Sequence, residues 1–268
     1  MVKALRATCF FIFLALLFNA FIYFYLGEKP ATDFFIGYLL EKSLSLDNLL
    51  VITIIFSAHK IPLTLQHRVL NYGIYSAIFL RGLLIFAGVA LVETFSWILY
   101  IFGVLLLYSG WRLLQEKEEE EKTKTNFRIP FLPMTSQLHG QSFFVKTEGV
   151  WKATPLFLVL LKIEFSDVIF AVDSVPAIFS VTLDPFIVYT SNIFAILGLR
   201  SLYFLLAPMI DRFIYLQKSL SILLIFIGAK MLIDPFYHIS NVVSLLVIFA
   251  TIGGGILFSV YKRNKHLN

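Results

Sequence analysis

Eight long apolar segments constrain the fold of this chain more than any other feature of its sequence. Most are long enough to cross a bilayer as a helix, at about 1.5 Å of rise per residue. They cover residues 8–26, 34–58, 71–92, 94–111, 153–181, 186–210, 219–233 and 239–261. A lipid-exposed strand would leave backbone groups unpaired, and these runs lack the alternation of a barrel strand. The sequence therefore predicts an all-α membrane protein with about eight transmembrane helices.

The composition excludes several other classes of protein. The 268 residues are 59% hydrophobic and 15% charged, whereas soluble domains are about 25% charged. The net charge of +5 is spread over the connections, and because it forms no basic face with interleaved aromatic residues, we expect no nucleic-acid partner. The only cysteine, Cys9, excludes an intrachain disulfide and leaves thiolate metal chemistry without a second ligand. We predict no enzymatic activity and no organic cofactor.

The basic residues are divided very unequally between the two sets of connections. One set, which includes both chain ends, holds 16 Lys and Arg residues, and the other holds only Lys29. Because Lys and Arg accumulate on the cytoplasmic side, we predict a multi-pass protein of a bacterial-type inner membrane with both termini cytoplasmic. Residues 115–152 then form a cytoplasmic loop, which opens with a charge run and is a possible binding site for protein partners.

Acidic residues lie inside two of the apolar segments. An ionised carboxylate at bilayer depth costs at least about 2.5–3.5 kcal/mol on insertion scales, so these side chains need a compensating role. The fifth segment contains the sequence KIEFSDVIFAVDSVP, with Glu164, Asp167 and Asp173. The second segment contains Glu41 and Asp47. The useful compensations are a bound cation, a proton path or fixed basic partners.

Three landmarks recur in the same order in two parts of the chain. An aspartate is followed 34 or 33 residues later by an arginine, and 63 or 61 residues later by a glycine. The pairs are Asp47 and Asp167, Arg81 and Arg200, and Gly110 and Gly228. Each part has three spans, an odd number, so the second part enters the membrane from the opposite side. This predicts inverted repeats, a transporter architecture with its site at the midplane.

The repeats define the predicted domain organisation. Residues 31–114 form the first three-helix repeat and residues 153–235 the second, separated by the cytoplasmic loop. Residues 1–30 and 236–268 each add one flanking helix, and the second of these ends in a basic tail. Chance similarity between leucine-rich helices is the alternative interpretation of the landmarks.

Opposed helices from such repeats would bring four carboxylates together, namely Glu41, Asp47, Asp167 and Asp173, with Asn48 and Ser174 as nearby neutral oxygens. The two acids of each helix are six residues apart, about 120° around a regular helix, so facing one cation requires bending or unwinding. No histidine lies at a span centre. An all-oxygen set suits Mn²⁺, Mg²⁺ or Ca²⁺ better than Zn²⁺.

A purely structural alternative pairs the same acids with the basic residues of the spans. The candidates are Lys42, Lys162, Arg81 and Arg200. It does not explain why the acids cluster on two repeat-related helices while the arginines lie on the next helices. In the metal-site interpretation the two arginines neutralise excess acid when the metal is absent. Glu164 has no counterpart in the first repeat, so we interpret it as a neighbour of the ligands or a proton relay.

Three sequence stretches resemble the TerC family of membrane proteins, especially its Alx-like branch. They are EKSLSLDN at 41–48, EFSDVIFAVDSVPAIFSVT at 164–182 and DPFIVYTSNIFAILGLRSLYFLL at 184–206. The resemblance implies an inner-membrane metal-ion transporter related to the LysE superfamily, associated with manganese efflux and named after tellurium resistance. It also places the metal site of the family at Glu41, Asp47, Asp167 and Asp173.

Export of a divalent cation requires an energy source. Moving two charges against an interior-negative potential of about 100 mV costs ~4.6 kcal/mol. Protons are the natural counter-ion because the acids can take them up when the metal leaves. We therefore expect Mn²⁺ efflux in exchange for protons, with Ca²⁺ as the other possible cargo. A membrane-anchored factor for metal delivery or for a stress response of the tellurium-resistance type, without transport of its own, remains the rival function.

Overall fold

The computed structural model describes residues 2–115, 133–135, 137–147, 149–207, 215–237 and 239–267. The side chains of Asp47, Leu216, Val242 and residues 260–267 lie outside this description. The charge run at the start of the predicted cytoplasmic loop also lies outside the described residues.

The described part of the chain contains nine helices and one β-hairpin. The helices are α1 (Val2–Leu26), α2 (Glu28–Ala58), α3 (Leu63–Thr94), α4 (Ile98–Gln115), α5 (Pro155–Phe179), α6 (Pro185–Leu197), α7 (Leu199–Leu206), α8 (Leu216–Ile233) and α9 (Asn241–Leu267). The strands β1 (Phe144–Thr147) and β2 (Val150–Ala153) pair antiparallel. The predicted all-α class is confirmed, and the hairpin lies inside the predicted loop.

Seven of the eight predicted spans correspond to one helix each. The sixth span is divided at Gly198 into α6 and α7. Within the described residues, four helical stretches are long and apolar enough to cross a membrane, namely Val2–Leu26, Leu63–Thr94, Ile98–Gln115 and Pro185–Leu206. Helices α2 and α5 carry the acidic residues, so their composition is less apolar although they lie in the same bundle.

Lys42 explains part of the geometry where α6 ends. Its Nζ donates a hydrogen bond to the carbonyl oxygen of Ala195 at 3.0 Å, in the last turn of α6. A Cβ at Gly198 would lie 2.8 Å from the same Nζ, so the glycine leaves room for the lysine. The last carbonyls of a helix lack partners within it, and a cation there is favourable. At its other end α6 is capped by Asp184, whose carboxylate accepts from the backbone N–H groups of Phe186 and Ile187.

Helix packing places α2 and α3 against both α5 and α6. Helices α4 and α8 form the most extensive contact, because glycines let their backbones approach closely. A Cβ at Gly228 would lie 2.7 Å from the carbonyl oxygen of Gly103, and one at Gly110 would lie 2.8 Å from that of Ser221. These pairings are compatible with the predicted inverted repeat, which stays a prediction.

The hairpin is attached directly to the start of α5. The backbone N–H of Ala153 donates to the carbonyl oxygen of Pro133 at 2.8 Å, and Thr135 N–H donates back to Ala153 at 2.9 Å. Thr154 is fully buried. Its hydroxyl donates to the carbonyl oxygen of Ser142 at 2.8 Å. The end of the predicted cytoplasmic loop is therefore tied to the first turn of α5.

Candidate functional site: a buried arginine between carboxylates

Arg81, in the middle of α3, is the centre of the polar interior of the bundle. It is 2% exposed, and its guanidinium contacts carboxylates from two other helices. Nη1 donates to Glu41 Oε1 of α2. Nη2 and Nε donate to Asp167 Oδ1 and Oδ2 of α5, at 2.9 and 3.2 Å. The planar guanidinium suits this two-pronged contact with a carboxylate, which a lysine could not reproduce.

Two neutral side chains complete the surroundings of this guanidinium. Nη1 also donates to Asn192 Oδ1 of α6 at 3.1 Å and approaches Ser174 Oγ of α5 at 3.5 Å. Asn192 is 0% exposed and is held in place by its own bond from Nδ2 to the carbonyl oxygen of Val188 at 3.0 Å. One cation thus links four helices, and with two carboxylates against one guanidinium the cluster has a formal charge of −1.

Some oxygens in the cluster are buried without a hydrogen-bond partner among the described residues. Glu41 accepts from Arg81 and from Ser45 at 3.4 Å through Oε1, while its Oε2 has no partner in that part of the chain. Asn48 donates from Nδ2 to Asp167 Oδ1 at 3.0 Å, and its Oδ1 likewise has no partner. A buried acceptor left unsatisfied is costly, so these two oxygens are candidate ligands.

A cavity of about 210 Å³ adjoins the two residues that carry these oxygens, although the oxygen atoms themselves are buried. Glu41, Asn48 and Arg81 line one part of it. Asp173 lies in the wall formed by α5, where its Oδ1 accepts a hydrogen bond from Ser109 of α4 at 2.9 Å. The other polar residues of the wall are Tyr108, Ser109, Arg112 and Ser174. Residues with carboxylate, amide and hydroxyl groups therefore line one cavity.

A second, smaller cavity of about 30 Å³ lies on the other side of Asn48. Its polar lining comprises Asn48, Glu164, Ser166, Asp167 and Arg200. Glu164 Oε2 is buried and has no partner among the residues that the structure describes. Arg200 Nη1 donates to Asn71 Oδ1 of α3. The predicted supporting residues Glu164 and Arg200 are thus adjacent to Asp167 and not to Asp173.

The predicted metal ligands are only partly brought together. Glu41 and Asp167 both bind Arg81, and Asp173 lines the larger cavity with Glu41. The side chain of Asp47 lies outside the described residues. Among the side chains that are described, no group of three or more His, Cys, Asp or Glu is close enough to hold a metal. Helices α2 and α5 are continuous, so the described residues do not show the bending or unwinding that would let both acids of one helix face the same cation.

Several residues of the site were not predicted from the sequence. Ser45 and Ser109 carried no signal that distinguishes them from the many other serines in the spans. Asn192 could have been found from the repeat. It follows Asp167 by 25 residues, and Asn71 follows Asp47 by 24. In the structure each asparagine accepts a hydrogen bond from the arginine of the other predicted repeat.

The fold and site together define an all-α, multi-pass membrane protein with a charged cluster buried inside its helix bundle. Comparison with known families specifies this class further. Residues 26–267 match the Integral membrane protein TerC family, and the chain belongs to that family.

Relatives in bacteria and plants share most of the chain. It is 47% identical over 269 residues to the "Putative membrane-bound redox modulator Alx" of Salmonella typhi, covering 95% of this chain and 84% of the relative. The protein of the same name in Escherichia coli K12 is 48% identical over 267 residues, covering 95% and 82%. "Thylakoid membrane protein TERC, chloroplastic" of Arabidopsis thaliana is 46% identical over 244 residues, covering 89% and 64%. No solved structure matches the chain.

Proposed function

We propose that this protein transports a divalent metal ion across the inner membrane, with Mn²⁺ efflux as its principal activity. The transported ion binds beside Glu41, Asp47, Asp167 and Asp173, with Asn48 and Ser174 as neutral donors. Ca²⁺ is the second cargo that such an oxygen site would accept.

The observation that carries the proposal is the pair of free, buried oxygens at the larger cavity. Glu41 Oε2 and Asn48 Oδ1 have no hydrogen-bond partner among the described residues, and both residues belong to the lining of a cavity that Asp173 also lines. A hard cation would satisfy all three groups at once, and such ions prefer oxygen ligands. A purely structural ion-pair network would leave the two free oxygens unexplained.

Proton exchange supplies the energy in this proposal. Export of a divalent ion against about 100 mV costs ~4.6 kcal/mol, so a carrier without coupling would import it. Carboxylates that lose the metal can take up protons for the return step, which makes the same residues serve both ions. The proposed orientation has both termini in the cytoplasm, as the distribution of Lys and Arg favours.

The test is manganese accumulation in bacteria that lack their own manganese exporters. Cells that make the parent protein should retain less manganese under manganese load than cells with Glu41→Gln or Asp173→Asn, at equal amounts of membrane-inserted protein. Asp184→Asn is the matched control, because it makes the same chemical change at the cap of α6, where an amide also caps. If the two site variants lower manganese as well as the parent does, the proposal is wrong.

Membrane vesicles separate coupled transport from the rival metal-delivery function. Purified protein in liposomes loaded with Mn²⁺ should release the ion when a proton gradient is applied, and an ionophore that collapses the gradient should stop release. Protein that lowers cellular manganese but moves no ion in liposomes would instead favour a factor that acts through partners, and deletion of residues 116–132 would then abolish its effect.

A further inference from the structure

We propose that the guanidinium of Arg81 is a built-in competitor of the transported cation. It binds Glu41 and Asp167 when the metal is absent and gives up these carboxylates when the metal binds. This inference rests on the proposed function, because it assigns to one residue the release of the ion from the same site.

Arg81 contacts one carboxylate oxygen of Glu41 and both carboxylate oxygens of Asp167. Its guanidinium holds Glu41 through Oε1 and leaves Oε2 without a partner among the described residues. It holds Asp167 through both oxygens. An ion that enters through the larger cavity, which Glu41 lines, has this oxygen as a ligand that Arg81 does not hold, while completion of its ligand shell by Asp167 requires that Arg81 withdraw.

Electrostatic repulsion opposes simultaneous binding of the guanidinium and a metal ion. Arg81 keeps its charge at any physiological pH, so it cannot make room for a metal by losing a proton. A divalent ion on Glu41 would lie close to this guanidinium in a water-poor interior, where like charges repel strongly. The metal and the guanidinium therefore cannot both occupy the two carboxylates, and occupancy by one favours departure of the other.

The guanidinium also has neutral hydrogen-bond acceptors within reach. Asn192 Oδ1 and Ser174 Oγ lie on α6 and α5 within 3.1 and 3.5 Å of Nη1. Asn192 is not a ligand of the ion in this proposal, so its Oδ1 remains available to Arg81 when the carboxylates turn towards a metal, and it is fixed by its bond to Val188. The guanidinium thus keeps a neutral acceptor when it gives up the carboxylates, which lowers the cost of leaving a buried charge without its ion-pair partners.

The consequence for transport concerns release. Carboxylates emptied of metal in a buried site would bind the next cation too tightly to discharge it. A tethered cation that returns to Glu41 and Asp167 lowers the affinity for the metal and speeds its departure. Transport needs a site that binds well enough to load and weakly enough to unload.

Metal binding to the purified full chain tests this inference, with Mn²⁺ as the probe. Arg81→Gln should lower the Kd for Mn²⁺ about tenfold or more, because a unit charge within ~4–5 Å of the ion is removed. The same variant should release Mn²⁺ from loaded liposomes more slowly than the parent. Arg81→Lys keeps the charge but loses the two-pronged contact with Asp167, so its Kd should lie between that of the parent and that of Arg81→Gln. Tyr203→Phe, which removes a buried hydrogen bond to Gln66 between α7 and α3, should leave the Kd unchanged.

The thermal unfolding midpoint keeps the test decisive if Arg81→Gln is unstable. Two unneutralised carboxylates destabilise the metal-free variant, so Mn²⁺ should raise its midpoint more than it raises that of the parent. A folded Arg81→Gln that binds Mn²⁺ no more tightly than the parent, or an unstable one that Mn²⁺ does not rescue, overturns the inference. If the parent itself binds no Mn²⁺ and Glu41→Gln changes nothing, the proposed function fails as well, and the two failures are thereby distinguished.

Discussion

Asn192 Oδ1 accepts a hydrogen bond from Arg81 Nη1 at 3.1 Å, between two helices that lie far apart in the sequence. The relationship has a counterpart, because Arg200 donates to Asn71. The first bond runs from α3 to α6 and the second from α7 to α3. Each arginine of the predicted repeats thus satisfies part of its hydrogen-bonding capacity with a neutral amide of the other repeat.

Asn192→Leu is expected to destabilise the protein by about 1–3 kcal/mol, because an N–H of the buried guanidinium loses its acceptor. Chemical or thermal unfolding of the purified protein in detergent measures the change. Ser191→Ala is the matched control, since Ser191 is equally buried but bonds only to the carbonyl oxygen of Val188 in its own helix. Equal effects of the two substitutions would contradict the importance of the interhelical bond.

Asp167→Asn and Asp173→Asn are expected to separate stability from transport. Asp167 is paired with a buried arginine, and breaking such a pair costs about 3 kcal/mol or more. Asp173 accepts a hydrogen bond from Ser109, and an asparagine side chain can accept the same bond. Asp173→Asn should therefore lower the free energy of unfolding by about 1 kcal/mol or less. Both variants should fail to lower cellular manganese. Normal efflux by Asp173→Asn would remove this residue from the site, and unfolding curves would show whether Asp167→Asn differs from it in stability.

Asp184→Ala should destabilise the protein by about 1 kcal/mol through the loss of a helix N-cap. The carboxylate accepts from the N–H of Phe186 at 2.9 Å and from that of Ile187 at 3.3 Å, at the start of α6. Asparagine caps helices equally well, so Asp184→Asn should unfold at nearly the parent temperature. A deficit of the same size in both variants would mean that the charge, and not the cap, matters.

Alanine substitutions at two glycines should have opposite signs. At Gly228 the new Cβ would lie 2.7 Å from the carbonyl oxygen of Gly103, so α4 and α8 must separate, at a cost of about 1–3 kcal/mol. At Gly253 in α9, no described atom outside its chain neighbours and the nearby backbone of its own helix lies within 4 Å of the corresponding position. There alanine should be neutral or should stabilise by about 0.4–1 kcal/mol through the unfolded state. A parallel series of unfolding curves compares the two, and destabilisation at both positions would refute the assignment to close packing.

The number and class of the helices could be predicted because apolar runs of this length have few alternatives. The division of the sixth span at Gly198 could not, and the contact of Lys42 from α2 with this end of α6 joins residues far apart in the sequence. The hairpin was missed for a similar reason, since its short strands are held by contacts with residues 133–135 and with the start of α5.

The candidate site was predictable in its residues more than in its geometry. Buried acids and basic residues at bilayer depth are conspicuous in any sequence, so Glu41, Asp167 and Arg81 could be identified. Side-chain positions on four helices decide which carboxylate oxygen each basic residue contacts. The sequence does not specify these positions. The structural alternative is partly right, because Arg81 does pair with two of the acids. The same alternative also offered Lys42 of α2 as a partner of the acids, but Lys42 instead donates a hydrogen bond to the last turn of α6.

The hydrogen bonds at Ala153 and Thr154 connect the predicted cytoplasmic loop to the helix that carries Asp167 and Asp173. They join residues 133–135 and the hairpin to the first turn of α5. Helix α5 runs without interruption from there past Asp167 and Asp173, roughly 20–30 Å at 1.5 Å per residue. A continuous helix of this kind transmits a displacement or rotation of its first turn along its length. A partner that binds the loop would therefore act on α5 and, through it, on a wall of the larger cavity.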